Sequence, residues 1–348
     1  MRILLIGGSG FIGPFVARRL VREGHEVAVY HRGRASPSLP PEVRRILGDR
    51  NQTAALAGEV RRWAPDVVVD LISSSGRQAA ALMEACRGAA GRVVALSSQD
   101  VYRAFGILLG LEPGPPQATP LTEESELRTR LHPYSAEQIR RVQAAFSWLD
   151  DEYDKIPVER AVLGDPRLPG TVLRLPMIYG PGDPLHRFFP QLKRMDGGRP
   201  AILLQAEAAR LHPPRGFVDN VAAAIGLAAT AAAARGRIYN VVEPHGFSEL
   251  DWVREIGAAA GWQGRVVAVP KELTPRHLQV PFAADQDWPV SGKRIRRELG
   301  FVEPVPLAEA LRLTIDWERT HPPVAVDPAQ FDDAAEDAAL AALDALPS

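Results

Sequence analysis

Close to its start the chain reads Arg2-Ile-Leu-Leu-Ile-Gly7-Gly8-Ser-Gly10-Phe-Ile-Gly13. The aliphatic run predicts a buried strand, and the residues after the glycines predict an amphipathic helix. Between them, Gly7 allows a tight turn, Gly10 lets the backbone approach a ligand and Gly13 lets the helix pack close to the sheet. The helix start then offers amides and a partial positive charge to phosphates. A glycine turn without a ligand is the alternative, but the context favours a dinucleotide site formed by Gly7, Gly10, Phe11, Ile12 and Gly13.

Short aliphatic runs alternate with helical patterns up to Ser98. The predicted strands are Arg2–Ile6, Glu26–Tyr30, Val43–Leu47, Asp66–Ile72 and Arg92–Ser97. The predicted helices between them are Phe11–Glu23, Gln52–Trp63 and Arg77–Arg87. Continuous Val, Ile and Leu strands fit a sheet that is covered on both faces, and the intervening helices fit right-handed βαβ units. We therefore expect an α/β fold with a Rossmann-type doubly wound parallel sheet.

The second half of the chain predicts a smaller C-terminal α/β lobe that binds the substrate. Prolines in residues 103–132 indicate a long loop, and later elements are predicted at Thr171–Ile178, Asn220–Ala233, Arg237–Val242, Glu249–Ala260 and Leu307–Thr320. We expect a dinucleotide-binding domain over 1–180, with a strand near 237–242 returning to its sheet. Residues 181–322 then form mainly the substrate lobe. The acidic, alanine-rich residues 323–348 form a flexible tail, with one short helix in it as the alternative.

Composition limits the classes of partner. The chain has 348 residues, with 41 Lys and Arg against 42 Asp and Glu, and a formal net charge of −1. This balance gives no electrostatic reason to expect nucleic acid, and no segment approaches the ~20 apolar residues of a membrane helix. The single cysteine, Cys86, excludes an intrachain disulfide and fits a reducing compartment. We expect a cytoplasmic protein with a small-molecule substrate, no membrane partner and no metal site.

The end of the second predicted strand indicates which dinucleotide binds. It reads Tyr30-His31-Arg32-Gly33-Arg34 and contains no acid. An acidic side chain there would bind the ribose 2′-hydroxyl of NAD, whereas an arginine would pair with the 2′-phosphate of NADP. We predict NADP as the preferred cofactor through Arg32 or Arg34, with NAD as the alternative if both arginines point into solvent.

Several further motifs occur in the order found in one enzyme superfamily. They are Gly48-Asp49-Arg50, Ser97-Ser98-Gln-Asp100-Val-Tyr102, Leu173-Arg-Leu-Pro176-Met-Ile-Tyr179-Gly-Pro-Gly-Asp183, Phe217-Val-Asp219 and Ile238-Tyr-Asn240. Together with the glycine turn they resemble the extended short-chain dehydrogenases/reductases, the NAD-dependent epimerase/dehydratase family, over residues 1–320. The Gly7-Gly8 doublet also resembles an atypical branch that contains chloroplast stem-loop RNA-binding proteins. The resemblance implies that Asp49 contacts the adenine and that Pro176 lies beside the nicotinamide.

The resemblance also implies a catalytic serine, tyrosine and lysine. Ser98 occupies the place of the catalytic hydroxyl, and Asp100 is either a second proton-transfer group or a turn cap. The family's tyrosine precedes its lysine by four residues, but Tyr153 precedes Lys155 by only two. Either Tyr153 lies before the helix and still reaches the nicotinamide, or Tyr134 enters from the preceding loop, or the pair is broken and the protein binds the cofactor without catalysis. We favour the first interpretation.

The substrate side departs from the family pattern as well. Met177 stands where members that bind nucleotide diphosphates usually have asparagine, and Arg215 is displaced by two residues from the usual phosphate-binding arginine. Arg215, Arg187 and Tyr179 are the predicted substrate-binding residues. We therefore expect an NAD(P)-dependent epimerase, dehydratase or reductase for a nucleotide sugar or a related alcohol or carbonyl. The alternative is a non-catalytic NAD(P)-binding or RNA-binding protein, and a homodimer is implied by the resemblance alone.

Overall fold

The structure is a computed structural model and describes residues 1–33, 39–282 and 285–345. The strands in this part of the chain are β1 (Arg2–Ile6), β2 (Glu26–His31), β3 (Arg44–Leu47), β4 (Val67–Asp70), β5 (Arg92–Ser98), β6 (Gly170–Leu175), β7 (Met177–Tyr179), β8 (Ala201–Gln205), β9 (Arg215–Phe217), β10 (Ile238–Asn240) and β11 (Arg265–Val269). The α-helices are α1 (Gly13–Arg22), α2 (Thr53–Trp63), α3 (Gly76–Cys86), α4 (Arg103–Leu108), α5 (Ala136–Ala145), α6 (Lys155–Leu163), α7 (Phe189–Asp196), α8 (Ala206–Ala209), α9 (Val218–Thr230), α10 (Glu249–Ala260), α11 (Lys293–Leu299), α12 (Leu307–Thr320) and α13 (Asp333–Asp344).

Seven parallel strands form the main sheet, in the order β10-β6-β5-β4-β1-β2-β3. The order reverses between β1 and β4, and Leu5 of β1 is in register with Val29 on one side and Val69 on the other. In a doubly wound sheet a ligand crevice opens at this reversal, beyond the carboxyl ends of the strands. The predicted α/β Rossmann-type sheet is confirmed.

Alternate residues of the strands pack into two separate cores. Ile3 and Leu5 lie in a cluster with α1 and α9, whereas Leu4 and Ile6 lie in a cluster with α2 and α3. Side chains of a strand point alternately to opposite faces, so a sheet with helices on both faces needs apolar residues at every position. This requirement explains the uninterrupted aliphatic runs of the sequence.

The second half of the chain builds a layer beside the main sheet. The single strand predicted over Thr171–Ile178 divides at Pro176, which has no amide proton for a ladder. β6 stays in the main sheet and β7 pairs with β9, while β8 and β11 form a further parallel pair. Residues 103–132, predicted as a long loop, begin with α4 and continue without a further α-helix or named strand among the described residues.

Helix α13 lies in the segment that the sequence predicts as a flexible tail. Ala339 of this helix packs with Leu203 and Val269 of the β8–β11 pair. Glu336 is buried and accepts a hydrogen bond from Arg194 Nε at 3.1 Å. The tail therefore contains one helix that packs on the protein. Its alanines form an apolar stripe, which is difficult to recognise in a segment whose overall composition is acidic. Within the described chain, none of the helices combines the length and the apolarity needed to cross a membrane.

Candidate active site

The glycine turn forms an open cradle at the carboxyl end of β1. Gly7 has φ +83°, and a Cβ on it would lie 2.5 Å from Ile72. A Cβ on Gly13 would lie 2.2 Å from the carbonyl oxygen of Gly8, so the helix start can approach the turn only without a side chain. At Gly10, in contrast, a Cβ would have no described atom within 4 Å, because this residue faces the crevice. The N-cap of α1, Ile12, provides no side-chain hydrogen bond. The turn fits the diphosphate of a dinucleotide.

Two cavities meet at this turn. The central cavity, of about 320 Å³, lies over the carboxyl ends of β5 and β6, and the β2-side cavity lies over the end of β2. The predicted cofactor residues that line the central cavity are Gly7, Gly10, Phe11, Ile12, Gly13, Lys155 and Pro176. Those that line the β2-side cavity are Gly7, Gly10, Phe11, Arg32 and Asp49. A dinucleotide across the turn would therefore place its two halves in separate cavities.

Lys155 is a buried cation at the first position of α6. Its ammonium donates hydrogen bonds to the carbonyl oxygens of Leu96, at 3.1 Å, and of Ser73. Nζ lies 5.6 Å from the centre of the Tyr153 ring. Burial lowers the pKa of Lys155 to about 8. The side chain is held at the floor of the central cavity, where it could reach a ligand hydroxyl.

Tyr153 and Tyr134 converge on one carboxylate. The Tyr153 hydroxyl donates a hydrogen bond to Asp100 Oδ2 at 3.0 Å, and the Tyr134 hydroxyl donates to the same oxygen at 3.1 Å. Their ring centroids are 5.7 Å apart. Tyr153 lies before α6, where the backbone is not helical, so its spacing from Lys155 does not send the two side chains to opposite faces of a helix. The structure thus brings together both tyrosines that the sequence offered as alternatives.

The protonation of this cluster is set by burial. Burial and the nearby Asp100 carboxylate raise the pKa of Tyr153 and of Tyr134 well above the usual value. Burial also raises the pKa of Asp100, and the Arg128 guanidinium opposes that shift. The Asp100 amide donates to Ser98 Oγ at 3.2 Å, so Asp100 belongs to the cluster and Ser98 caps the short helical turn that carries it. Both tyrosine hydroxyls are therefore protonated at neutral pH, and both tyrosines line the central cavity.

Ser97 and Ser98 have different partners. Both serines line the central cavity, but Ser97 Oγ donates to Glu159 Oε1 at 2.6 Å, whereas Ser98 Oγ accepts from the Asp100 amide at 3.2 Å. Glu159 also accepts two hydrogen bonds from the buried Arg174, at 2.9 and 2.8 Å. Alternation along β5 produces this division, as expected for neighbouring strand residues.

Arg128 supports the cluster and was missed by the sequence analysis. It is buried, and its Nε donates to the Asp100 carbonyl oxygen at 2.6 Å. Its second contact is with Asp154, the N-cap of α6, at 3.2 Å. It therefore connects the turn after β5 to the start of α6. No local motif marks Arg128, because it lies in the proline-containing stretch that the sequence predicts as a loop.

Residues 146–150, the cleft segment, run between the two cavities. Phe146, Trp148 and Leu149 line both of them. The Arg32 guanidinium donates to the carbonyl oxygen of Ser147 at 3.3 Å and to its Oγ at 3.2 Å. Arg32, which is predicted to bind a 2′-phosphate, therefore lies in the wall of the β2-side cavity and contacts the cleft segment. The other candidate, Arg34, lies outside the described residues.

The predicted substrate residues border a third cavity, the lobe cavity. Arg187 lines both this cavity and the central one, and it donates to Asp183 at 2.7 Å. Arg215 is ion-paired with Glu249, and its guanidinium lies 4.7 Å from the centre of the Trp252 ring.

The third predicted substrate residue, Tyr179, is also engaged within the protein. It lines the lobe cavity, and its hydroxyl donates to Glu243 at 2.8 Å. Among the described residues, no group of His, Cys, Asp and Glu side chains is placed to hold a metal ion.

Comparison with known proteins connects this site to a family. Residues 3–241 match the model of the NAD dependent epimerase/dehydratase family. The chain is 29% identical to 2′-dehydrokanamycin reductase of Streptomyces kanamyceticus over 289 residues, which cover 80% of this chain and 72% of that enzyme. It is 27% identical to 2-alkyl-3-oxoalkanoate reductase of Stenotrophomonas maltophilia (strain K279a) over 359 residues, covering 90% and 98% of the two chains.

Solved structures share the fold. The Bordetella bronchiseptica enzyme WbmG, in complex with NAD and UDP, superimposes with a TM-score of 0.65 at 18% identity, covering 92% of this chain and 95% of that one. At this identity the likeness concerns the fold alone.

Proposed function

Because the chain belongs to the NAD-dependent epimerase/dehydratase family and is an enzyme of the oxidoreductase and epimerase type, we propose that it reduces the carbonyl group of a small molecule with NADPH. The observation that carries this proposal is the central cavity, where the glycine turn, Ser98, Tyr153 and Lys155 border one space. The two relatives described above are both named as reductases, which favours a reductase over an epimerase or a dehydratase.

The chain's own residues would bind the cofactor in a defined order along the crevice. The amides after β1 would hold the diphosphate, Asp49 would contact the adenine, and Lys155 would donate to the hydroxyls of the nicotinamide ribose. Pro176 would border the ring. The bound nicotinamide supplies the hydride that reaches the carbonyl carbon.

Ser98 and Tyr153 would act on the substrate oxygen. Ser98 Oγ would orient the oxygen, and Tyr153 Oη would donate its proton as the alkoxide forms, which yields the alcohol. The pKa of Tyr153 lies well above its usual value, so the hydroxyl is protonated at neutral pH and would transfer its proton only to a strong base such as the alkoxide. Asp100 would hold the Tyr153 hydroxyl in place through their hydrogen bond at 3.0 Å, and a proton from solvent would restore the hydroxyl after each turnover.

The preference for NADP rests on Arg32. Arg32 lines the β2-side cavity, and the sequence directly after β2, Arg32-Gly33-Arg34, contains no acid. An acid at this position would repel a 2′-phosphate, whereas a guanidinium binds it through two hydrogen bonds.

Isotope transfer tests the proposed reaction. The enzyme is incubated with NADPH deuterated at C4, in separate samples for the two faces, and with a panel of ketones, aldehydes and ketosugars. We expect deuterium at the carbinol carbon of at least one product, from one face only, and almost none with the Tyr153→Phe variant. If no carbonyl of the panel gains label from either face, although NADPH binds, the protein is not a reductase of such compounds.

A further inference from the structure

The lobe cavity is the natural place for the body of the substrate. It has a volume of about 410 Å³ and meets the central cavity at Arg187, which lines both. A carbonyl held by Ser98 and Tyr153 would extend past this arginine into the lobe. The inference below rests on the proposed function, because it concerns the substrate of that same site.

The walls of the lobe cavity are mainly aliphatic and aromatic. They include Phe105 and Leu108 of α4, Met177 of β7, Leu211, Phe282 and Trp288. The rings of Phe105 and Trp288 lie 4.8 Å apart and close one side of the cavity. Such a surface stabilises a ligand by removing apolar area from water, at about 0.8 kcal/mol for each methylene group.

The cations that border this cavity are already neutralised. Arg187 donates to Asp183 at 2.7 Å and to the carbonyl oxygen of Ile178 at 2.8 Å. Arg215 is 8% exposed and is held between Glu249 and the Trp252 ring. Each described arginine in the cavity wall therefore has a carboxylate partner of its own.

This neutralisation disfavours a nucleotide diphosphate. A diphosphate carries at least two negative charges, and moving it from water into a largely apolar cavity is costly unless unpaired cations receive it. To receive it here, Arg215 would have to leave Glu249, which would remain as an uncompensated charge in the same wall. Met177 adds no hydrogen-bond donor at the position next to the reaction centre.

We propose that the lobe cavity selects an uncharged carbonyl compound with an aliphatic or aromatic body, and that the Arg215–Glu249 pair excludes nucleotide diphosphates. Of the two substrate classes expected from the sequence, this proposal selects the carbonyl compound over the nucleotide sugar. Specificity of this kind depends on a repulsive element, Glu249, as well as on the apolar walls.

The first test compares substrates at fixed NADPH. Methyl ketones of increasing chain length are compared with UDP-4-ketoglucose, each by the rate of NADPH oxidation. We expect kcat/KM to rise about fourfold for each added methylene until the cavity is filled, and no turnover of the nucleotide sugar. Turnover of the UDP-ketosugar with flat, low rates for the ketones would overturn this inference while leaving the proposed reductase function intact.

The second test measures nucleotide binding directly and gives a result whatever the substrate. UDP is titrated calorimetrically into three NADP-loaded proteins: the wild type, Glu249→Gln and the control Glu309→Gln. Glu309 suits the control because it is exposed and pairs with Arg312 of its own helix. We expect UDP to bind the wild type and the control only weakly, and to bind Glu249→Gln at least about tenfold more tightly, as for one charge-assisted hydrogen bond. Micromolar UDP binding to the wild type, or no gain in Glu249→Gln, contradicts the assignment. Failure of NADP itself to bind would count against the proposed function instead.

Discussion

Tyr153 is the proposed proton donor, and its position depends on an irregular stretch of backbone before α6. The sequence contains the expected tyrosine and lysine, but their separation would place them on different faces of a regular helix. In the structure α6 begins at Lys155, so Tyr153 is free to turn towards Asp100. The position of Tyr153 before the helix is the interpretation that the sequence favoured. The contacts of Asp154 with Arg128 and His132, which hold this backbone, have no local signal in the sequence.

Substitution of the two tyrosines separates their roles. We expect Tyr153→Phe to lower kcat by about a hundredfold to a thousandfold, because it removes the proton donor. Tyr134→Phe should lower kcat by about tenfold or less, since it removes only the second hydrogen bond to Asp100. Steady-state reduction rates with the best ketone provide the measurement. The reverse order of effects would transfer the role of acid to Tyr134.

The protonation of Lys155 predicts a pH dependence for cofactor binding. Its pKa in the folded protein is about 8, below the usual value for lysine, because the ammonium is buried. The charged form is therefore present below this pH and is lost as the pH rises through it. We expect the affinity for NADPH to fall above about pH 8 in the wild type, measured by fluorescence titration.

Two variants of Lys155 complete this measurement. Lys155→Met should bind weakly at every pH and lack the alkaline decline. Lys155→Arg should keep its charge and shift the decline to higher pH. An unchanged decline in Lys155→Met would assign it to another group.

The position of the cleft segment could not be predicted from the sequence. Residues 146–150 have neither strand nor helix periodicity. Their position depends on Arg32, which lies more than a hundred residues earlier and donates hydrogen bonds to Ser147. By contrast, β1, α10 and α12 have the predicted bounds, because each carries a continuous apolar run or stripe with clear ends.

Arg32 links this segment to the choice of cofactor. We expect Arg32→Ala to raise the KM for NADPH about tenfold or more and to leave the KM for NADH nearly unchanged, because only NADPH has a 2′-phosphate. Ser147→Ala is the matched control, since it removes the hydroxyl acceptor of Arg32 but not the guanidinium. Equal effects of Arg32→Ala on the two cofactors would mean that Arg32 acts only by holding the cleft segment.

Helix α13 connects the end of the chain to the stability of the whole molecule. Glu336 is buried, and besides Arg194 it contacts His277 Nε2 at 2.9 Å. Loss of its charge would leave Arg194 buried without its carboxylate, which costs about 3 kcal/mol in comparable sites. We expect Glu336→Gln to lower the free energy of unfolding by that order in urea titration.

The neighbouring Asp337 provides the control for this measurement. Its carboxylate is exposed, and its partner Arg199 has a second carboxylate nearby, that of Asp333. Asp337→Asn should leave the urea midpoint nearly unchanged, because exposed ion pairs contribute little. Equal effects of the two substitutions would show that α13 does not anchor the fold through Glu336.

At the scale of the whole molecule, the parallel sheet could be predicted from the sequence, whereas the lobe cavity could not. Strands that alternate with helices along the sequence imply a parallel sheet, because local patterns and chain connectivity are sufficient for βαβ units. The lobe cavity is formed by residues as distant in sequence as Phe105, Leu211 and Trp288. Short runs such as β8 and β9 have no local signal, and neither has the pairing of Arg215 with Glu249. The charge of the lobe cavity therefore could not be predicted from the sequence.

The most direct test of the account is a calorimetric titration of NADPH into the wild type and Gly10→Asp. A side chain at Gly10 faces open space, so the variant should fold, but its carboxylate would lie where the diphosphate is held. We predict one micromolar site in the wild type and a loss of affinity of at least about a hundredfold in Gly10→Asp, with the circular dichroism spectrum unchanged. Absence of binding to the wild type at millimolar NADPH and NADH, or equal binding to both proteins, would contradict the central claim that this turn holds a nicotinamide dinucleotide.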